Sequence, residues 1–563
     1  MAADVVTIAE FFALRYRLAL QILRSADVCW VDARKRKILH DRSELEILQH
    51  RKRKTAVPPE QRLRELRDQE SAAKLSDANK FLAKLHISVE PELIRFEGRV
   101  LPNLRIQYQS KSRLARVDDK GNWDMADNKW FIPGKCNSFG LIIWDRQSPQ
   151  NEDLAGDFVN ALFNLAREAG TRLPRKPTVK AFVQYPEDLN GVFKEAEQQD
   201  TQFILVIMQR KDDDMKSAVK FQEQQTSIVT QCVMRQNAEM CARRGGKSRM
   251  TLLNIAAKLN MKLGGLNFVV DQHLPLVKDW FKEDVMFIGV DVNHPPPLPR
   301  DLIRKGVAPS EPSVVGMVAS TNNATMQLTM DYHFQTPRVE EVKSIRLLMV
   351  EMLRRFQTNH KEKLPQRIVF YRDGVADGQF KMVLESEIPG MQRAFRTVGG
   401  RDYDPRLTVL ICQKRHNTRL FPQQMQGPVW KQNVPPGTVV DKEVVHPRDW
   451  EFYICSHLSP QGTAKPVKYT VIRDDNAFSS DELQGLTFLL AHGHQIITKT
   501  ISLPAPVMAA HNAAMRGKKI WKAYNGSDEL SVVSGGSGDA PDWDDISNKL
   551  RAHDRLKEVT YWA

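Results

Sequence analysis

Two aspartates stand where a carboxylate is costly. Asp291 follows the apolar run of "MFIGVDVNHPPP", residues 286–297, and Asp373 follows the one in "VFYRDGVADGQF", residues 369–380. Apolar runs of this length bounded by turn residues read as buried strands. A carboxylate at the end of one must be paired, hydrogen-bonded or bound to metal. If the two strands lie side by side, both carboxylates reach one sheet edge, where they repel unless a cation sits between them. Two Mg²⁺ ions roughly 3.5–4 Å apart would satisfy such a pair and supply in-line phosphodiester hydrolysis, one activating water and the other stabilising the leaving oxygen. Hard carboxylate oxygen is the right donor for Mg²⁺, with Mn²⁺ as a substitute. Taken singly, each aspartate reads equally as a turn residue, because Asp-Gly is a common turn sequence.

A second group is basic. Lys258 and Lys262 are four apart and share a helix face. Lys220 lies on the preceding helical run, and Gln231 lies between them in "TQCV". Several ammonium groups and an amide converging on one dianion make a phosphate site. Any one of these lysines alone reads as a solvated helix face.

The elements that must position these groups fall into two α/β blocks. From about residue 132, the strand-like runs "FGLIIWD", "VKAFVQY" and "FILVIMQR" alternate with the helical patterns "EDLAGDFVNALFNLAREAG" and "LNGVFKEAEQQ". That alternation predicts a parallel sheet covered on both faces. The helix "MTLLNIAAKLNMKL" stops at Gly264-Gly265, a C-terminal signal. From about residue 280 the order is strand "VMFIGVDV", strand "SVVGMVAST", strand "ATMQLTMDYHFQ", helix "VEEVKSIRLLMVEMLRRFQ", strand "RIVFYRDG", helix "GQFKMVLESEI" and strand "RLTVLICQKR". Three consecutive strands, then a helix and another strand, is the opening order of ribonuclease H-like folds. Ser479 and Glu482 form a capping box before a late helix. The Gly/Ser/Asp-rich stretch "NGSDELSVVSGGSGDAPDWDD" reads as a loop, and the closing "EVTYWA" reads as a tail tucked into the core.

Bulk properties agree with a nucleic-acid partner. Lys plus Arg number 82 against 68 Asp plus Glu, a formal charge of +14 with a pI near 9.3. Such a surplus favours a polyanion, nucleic acid ahead of a membrane surface, although a basic enzyme with a solvated surface has the same composition. The six cysteines include no C-x-x-C pair, which argues against a zinc ribbon or a disulfide framework and suits a reducing compartment. No apolar run approaches membrane-spanning length, and "MAADVVTIAEFF" lacks the order of a signal peptide. The expected location is the cytoplasm. "RKRK" at 34–37 and again at 51–54 leaves the nucleus open and reads equally as solvated charge.

The landmarks "GVDVNHPPP", "VFYRDGVADGQF", "RHNTRLFP", "GTVVDKEVVHPRDWEFYICSHLSPQGTAKPVKYTVIRDDNAFSSDELQGLTF" and "AAHNAAMRGKK" resemble, in order, the PIWI domain of Argonaute proteins. "TQCVM" and "LNIAAKLNMKLGG" resemble the Argonaute MID domain, and "GNWDMADNKWF" resembles the end of the linker before it. The resemblance is collinear over roughly residues 56–563. It implies a Rossmann-like MID domain at 132–279, a ribonuclease H-like PIWI domain at 280–563, and a linker at 56–131. It also implies small-RNA-guided silencing: a guide RNA held by its 5′ phosphate in MID, and a complementary target RNA cut in PIWI. The family's metal-binding aspartates fall on Asp291 and Asp373, its further metal ligand on His511, and its glutamate on Glu340, with Glu341 one residue away. Its phosphate binders fall on Lys220, Gln231, Lys258, Lys262 and Arg516. Tryptophan-bearing silencing proteins are implied partners of some members; a membrane is not.

Three departures qualify the resemblance. Lys216 occupies the position of a tyrosine that stacks on the first guide base, an interaction worth about 1–3 kcal/mol per base. The loop "RQNAEMCARRGGKSR", with Arg243, Arg244, Lys247 and Arg249, is longer than its counterpart and reads as a solvated insertion. Residues 1–55 resemble only a fragment of the PAZ domain, so the pocket for the guide's 3′ end is expected to be absent. Two other functions therefore compete with cleavage: a guide-binding module that represses without cutting, and a non-functional shortened paralogue.

Overall fold

The structure is a computed structural model. It describes residues 56–526 and 541–562, apart from 76–78, 91, 110–113, 126–128, 146, 210–212, 243–245, 273–276, 305–308, 322–325 and 558. Before residue 56 it gives only the backbone of the short strands Val5–Thr7, Cys29–Asp32 and Lys37–His40. The expected PAZ fragment at 1–55 otherwise lies outside the described residues, as do Arg243, Arg244 and most of the Gly/Ser/Asp-rich stretch near the end.

The chain divides into two compact units. The smaller comprises residues 1–93, 419–434 and 459–464. Within it the helix Pro59–Ala72 begins with proline in its first turn, where the missing N–H costs nothing. Thr463 closes on the segment before that helix, its amide and hydroxyl both donating to the Val57 carbonyl. Asn433 is anchored by donation to the Gly462 carbonyl at 2.9 Å.

The larger unit holds both sequence-predicted blocks. In the first, β1 (Phe139–Trp144), α1 (Pro149–Glu168), β2 (Val179–Val183), α2 (Asp188–Gln198), β3 (Phe203–Met208), α3 (Asp213–Thr226) and β4 (Val229–Met234) alternate along the chain. The sheet is wholly parallel, in the order β4-β3-β1-β2. β1 and β3 are buried on both faces, as a parallel sheet flanked by helices requires. Two further helices, α4 (Arg235–Ala242) and α5 (Gly246–Lys262), complete this block.

The second block begins with β5 (Val285–Asn293), β6 (Ser313–Ser320) and β7 (Leu328–Gln335). The helix α6 (Ile345–Asn359), β8 (Arg367–Asp373), the helix α7 (Ile388–Gly399) and β9 (Arg406–Gln413) follow. Then come β10 (Thr438–Val440), β11 (Trp450–Cys455), β12 (Val467–Asp474), α8 (Ser480–Ala491) and the long helix α9 (Ala505–Asn525). The sheet runs β7-β6-β5-β8-β9-β12-β11-β10 and ends on the edge strand Arg99–Val100. Its first five strands are two antiparallel pairings, β7-β6 and β6-β5, joined to the parallel β5-β8-β9. This is the ribonuclease H-like arrangement. The fold class read from the sequence, a Rossmann-like block followed by a ribonuclease H-like block, is the one the chain adopts. The tail is tucked in, with Tyr561 and Trp562 both buried.

One helix start differs from the sequence pattern. The apolar period suggests a helix from residue 339, but α6 begins at Ile345. Gln335 donates to the carbonyls of Val339 and Glu341, and the Val342 amide donates to Glu387. These side chains take up the backbone groups that a helix would need for its own ladder, so Glu340 and Glu341 stay in an irregular segment.

The helix α9 packs directly on β5 and β6, and glycine makes the close approach possible. A Cβ on Gly316 would overlap the Ala510 carbonyl and lie 2.6 Å from the Ala514 nitrogen. Gly316 is also the register partner of Asp291. Gly316→Ala is expected to lower stability by about 1–3 kcal/mol, the usual cost of overpacking, read as a lower thermal midpoint. It should also lever His511 away from Asp291. An unchanged midpoint would show that α9 can slide without cost.

Candidate functional site

The parallel pairing of β5 with β8 builds the first site. The register sets Val290 against Arg372, so the next residues, Asp291 and Asp373, stand side by side where the pairing of the two strands ends. Asp291 is buried and Asp373 partly so. His511, projecting from α9, hydrogen-bonds through Nδ1 to Asp291 Oδ2 at 2.8 Å. That bond raises the His511 pKa against the opposing effect of burial. Burial, with the Asp291 carboxylate behind it, pushes the Asp373 carboxyl up to about 6, although the Gly374 amide donates to it at 2.8 Å. Arg372, and after it Lys414, which is bonded to Ser502, are the cations that favour ionised Asp373.

Glu340 stands on the flank of this edge. Its Oε1 would touch a Cβ on Gly374 at 3.2 Å, which places it beside the turn that follows Asp373. Arg372 donates to Glu340 Oε1 at 3.0 Å and to the Glu340 carbonyl at 2.6 Å, and His294 Nε2 bonds Oε2 at 2.7 Å. Glu341 faces elsewhere, accepting from Ser386. Nothing in the sequence pattern marks His294, which follows its strand just before three prolines. Here it is a clamp on Glu340, itself fixed by Ser313 at 2.8 Å. Arg372 is wholly buried and is balanced by the equally buried Glu387.

The donor set suits a divalent cation: two hard carboxylates with mutually unfavourable charge, and an imidazole. Among the described residues no three His, Cys, Asp or Glu side chains are gathered closely enough to form a ready-made metal cage. Asp291, Asp373 and the Asp291-bonded His511 lie at one sheet edge, with Glu340 held beside it by Arg372 and His294.

The second site is a cavity of about 390 Å³ between α3, β4, α5 and α9. Lys220, Gln231, Lys258, Lys262 and Arg516 all line it. So do Lys216 and Lys519, the latter not singled out from the sequence, where it is one of many lysines. Lys220, Lys262 and Arg516 are buried. Their common counter-charge is Glu223, also missed by sequence reading because nothing marks it in a polar helix. Glu223 accepts from Lys220 at 2.8 Å and from Arg516 at 2.7 Å. Burial alone would raise its pKa, but Arg516, Lys220 and Lys262 hold it down to about 2. Lys220 and Lys262 both donate to the Thr230 carbonyl, at 3.0 and 2.9 Å, and Arg516 also donates to the Tyr561 carbonyl at 2.9 Å. Gln231 gives one amide hydrogen to the Cys232 carbonyl. Burial and crowding among like charges lower the pKa values of Lys220, Lys258 and Lys262 and bring that of Lys519 to about 8. A cavity with this excess of desolvated cations is built for an anion.

Fold and site together define a ribonuclease H-like protein with a carboxylate edge in one block and an anion cavity where the two blocks meet. A family model for the Piwi domain matches residues 202–522, and the chain belongs to that family, the Argonaute and Piwi proteins. Among solved structures it is similar to Drosophila Piwi, with a TM-score of 0.71 and 19% identity, over 99% of this chain and 69% of that one. It is similar to Kluyveromyces polysporus Argonaute solved with a guide RNA, with a TM-score of 0.73 and 21% identity, over 93% of this chain and 62% of that one. It is also similar to the C-terminal lobe of a budding yeast Argonaute, with a TM-score of 0.69 and 22% identity, over 83% of this chain and 95% of that one. At these identities the likeness concerns the fold. Among the described residues no helix is long and apolar enough to cross a membrane.

Proposed function

We propose that this chain is a nucleic-acid-guided silencing protein that holds the 5′-phosphorylated end of a guide RNA and cleaves a complementary target RNA. In this reading residues 132–279 are the MID domain and 280–563 the PIWI domain. The observation that carries it is the juxtaposition, where the β5–β8 pairing ends, of Asp291 and Asp373 with His511 bonded to the first. Asp291, Asp373 and His511 would hold Mg²⁺, which when bound activates water and stabilises the leaving oxygen. His511 holds the Asp291 carboxylate in place. Arg372 and His294 hold Glu340 beside the Asp373 turn, and Lys414 adds positive charge next to the scissile region. The guide's 5′ phosphate enters the lysine cavity, where Lys262, Lys258 and Arg516 supply charge. Lys220 has its donors engaged by Glu223 and Thr230, so it acts through charge alone. Lys216 offers no aromatic face to the first base, so preference for a particular first nucleotide is weak.

The test loads a 5′-phosphorylated guide and supplies a labelled complementary RNA with Mg²⁺. One cut at a fixed distance from the guide's 5′ end supports cleavage. Tight target binding with no cut supports the second reading, a guide-binding module that represses by occupancy or through tryptophan-bearing partners.

The phosphate reading has its own check. Lys262→Met removes a charge-assisted donor, worth about 1.5–3 kcal/mol, so affinity for a 5′-phosphorylated guide should fall about tenfold or more. A 5′-hydroxyl guide should lose much less. Burial already disfavours the charged form of Lys262, so the variant should keep its thermal midpoint. Equal losses for both guides would place the phosphate elsewhere.

A further inference from the structure

The lysine cavity contains two layers of cations, and a protein carboxylate reaches only the inner one. Lys220, Lys262 and Arg516 are buried and share Glu223. Lys216, Lys258 and Lys519 line the same cavity but are half-buried. Among the described residues no carboxylate pairs with any of these three. Lys216 and Lys519 instead lie within hydrogen-bond reach of each other, and Lys216 also crowds Lys258. Two described acids have other lysine partners: Asp214 of α3 pairs with Lys522 at 2.7 Å, and Glu311 with Lys518 of α9 at 2.7 Å. Two ammonium groups lining one half-buried cavity are unfavourable unless an anion lies between them. One phosphate dianion matches the excess of the inner layer, so even with Lys258 turned to that phosphate Lys216 and Lys519 stay uncompensated.

The geometry points to a second phosphate subsite formed by Lys216 and Lys519, with Lys258 between it and the first, so that the cavity takes the 5′-polyphosphate end of an RNA, a diphosphate or triphosphate, in preference to a monophosphate. This rests on the proposed guide-binding function and names its ligand more closely. Phosphates joined directly to the first one are contiguous with it, and the two cation layers share one continuous cavity. The same chemistry could be met by the internucleotide phosphates of a guide folding back, so the experiment must separate the two sources.

Equilibrium binding of the full chain to one RNA sequence carrying a 5′ hydroxyl, monophosphate or triphosphate provides that separation. The triphosphate should bind about tenfold or more tighter than the monophosphate, as one or two added charge-assisted contacts would give, with a steeper salt dependence. In Lys216→Tyr/Lys519→Tyr the triphosphate-to-monophosphate ratio should fall to about one. Equal affinity of the wild-type chain for monophosphate and triphosphate overturns the subsite. If the monophosphate still outbinds the hydroxyl, the guide-binding reading survives that failure; if all three ends bind alike, both fall. A proportional loss for both phosphorylated ends in the double variant assigns these lysines to the internucleotide phosphates and also overturns the subsite.

Discussion

Replacing Asp373 by alanine or asparagine is expected to abolish target cleavage while leaving the chain folded. The carboxylate would contribute one of the few hard oxygen donors at the β5–β8 edge, and metal assistance is worth several kcal/mol of transition-state stabilisation. A loss of about 4 kcal/mol corresponds to roughly a thousandfold in rate, measured as single-turnover cleavage of a labelled target on a preloaded guide. The stability effect has the opposite sign from that of an ordinary buried polar residue. Burial and Asp291 raise the Asp373 pKa to about 6, so at neutral pH the ionised carboxylate is less favourable in the folded chain than in the unfolded one. Asp373→Asn, which relieves this strain and keeps the Gly374 contact, should hold or raise the thermal midpoint. Guide affinity should be unchanged, because the lysine cavity has its own residues. Residual cleavage within tenfold of wild type would remove Asp373 from the chemistry and favour a binding-only protein.

The second large effect is expected at Glu387, some distance from the carboxylate edge in sequence. Arg372 is fully buried and donates to Glu387 through Nε at 3.2 Å and through Nη2 at 3.2 Å. The same guanidinium holds Glu340 and the Asp373 carbonyl, the latter at 2.6 Å. Glu387→Leu leaves a buried cation without its main partner, which costs about 3–5 kcal/mol. It also frees the guanidinium to pull Glu340 out of position, so cleavage should fall by more than the loss of folded protein explains. The paired variant Arg372→Met/Glu387→Leu removes both charges and should recover most of the thermal midpoint, because buried ion pairs often add little net stability. It should not recover cleavage, because Glu340 then loses its clamp. A double variant with normal cleavage would show that the Arg372 network supports the fold alone.

Much of this was legible because strand and helix periods in the larger unit are strong. The apolar runs that became β1, β3, β5, β6 and β8 are continuous and bounded by turn residues, so their existence and order followed from pattern alone. Asp291 and Asp373 were visible for the same reason: a carboxylate at the end of an apolar strand is anomalous by itself. Lys258 and Lys262 were visible because helix geometry fixes a four-residue spacing onto one face. Glu340 and His511 had no such signal. One lies in an irregular segment whose backbone is captured by Gln335 and Glu387, and the other is a lone histidine in a long helix. Only resemblance to a family singled them out.

The roles of Glu223, Lys519 and His294 needed the tertiary structure. Glu223 neutralises cations contributed by α3, α5 and α9, which are separated by up to hundreds of residues, and no local pattern reports such a convergence. His294 follows its strand as an ordinary exit residue, and its bond to Glu340 exists only because β6 and the segment before α6 pack beside it. Sequence by itself determined which segments fold as strands and helices and which residue types stand at their ends, because periodicity and burial are local properties of the chain. Which of those residues meet was decided by the sheet order and by the packing of α9 across β5 and β6. Charge and hydrogen-bond balance at both sites is settled among side chains brought together only by that packing.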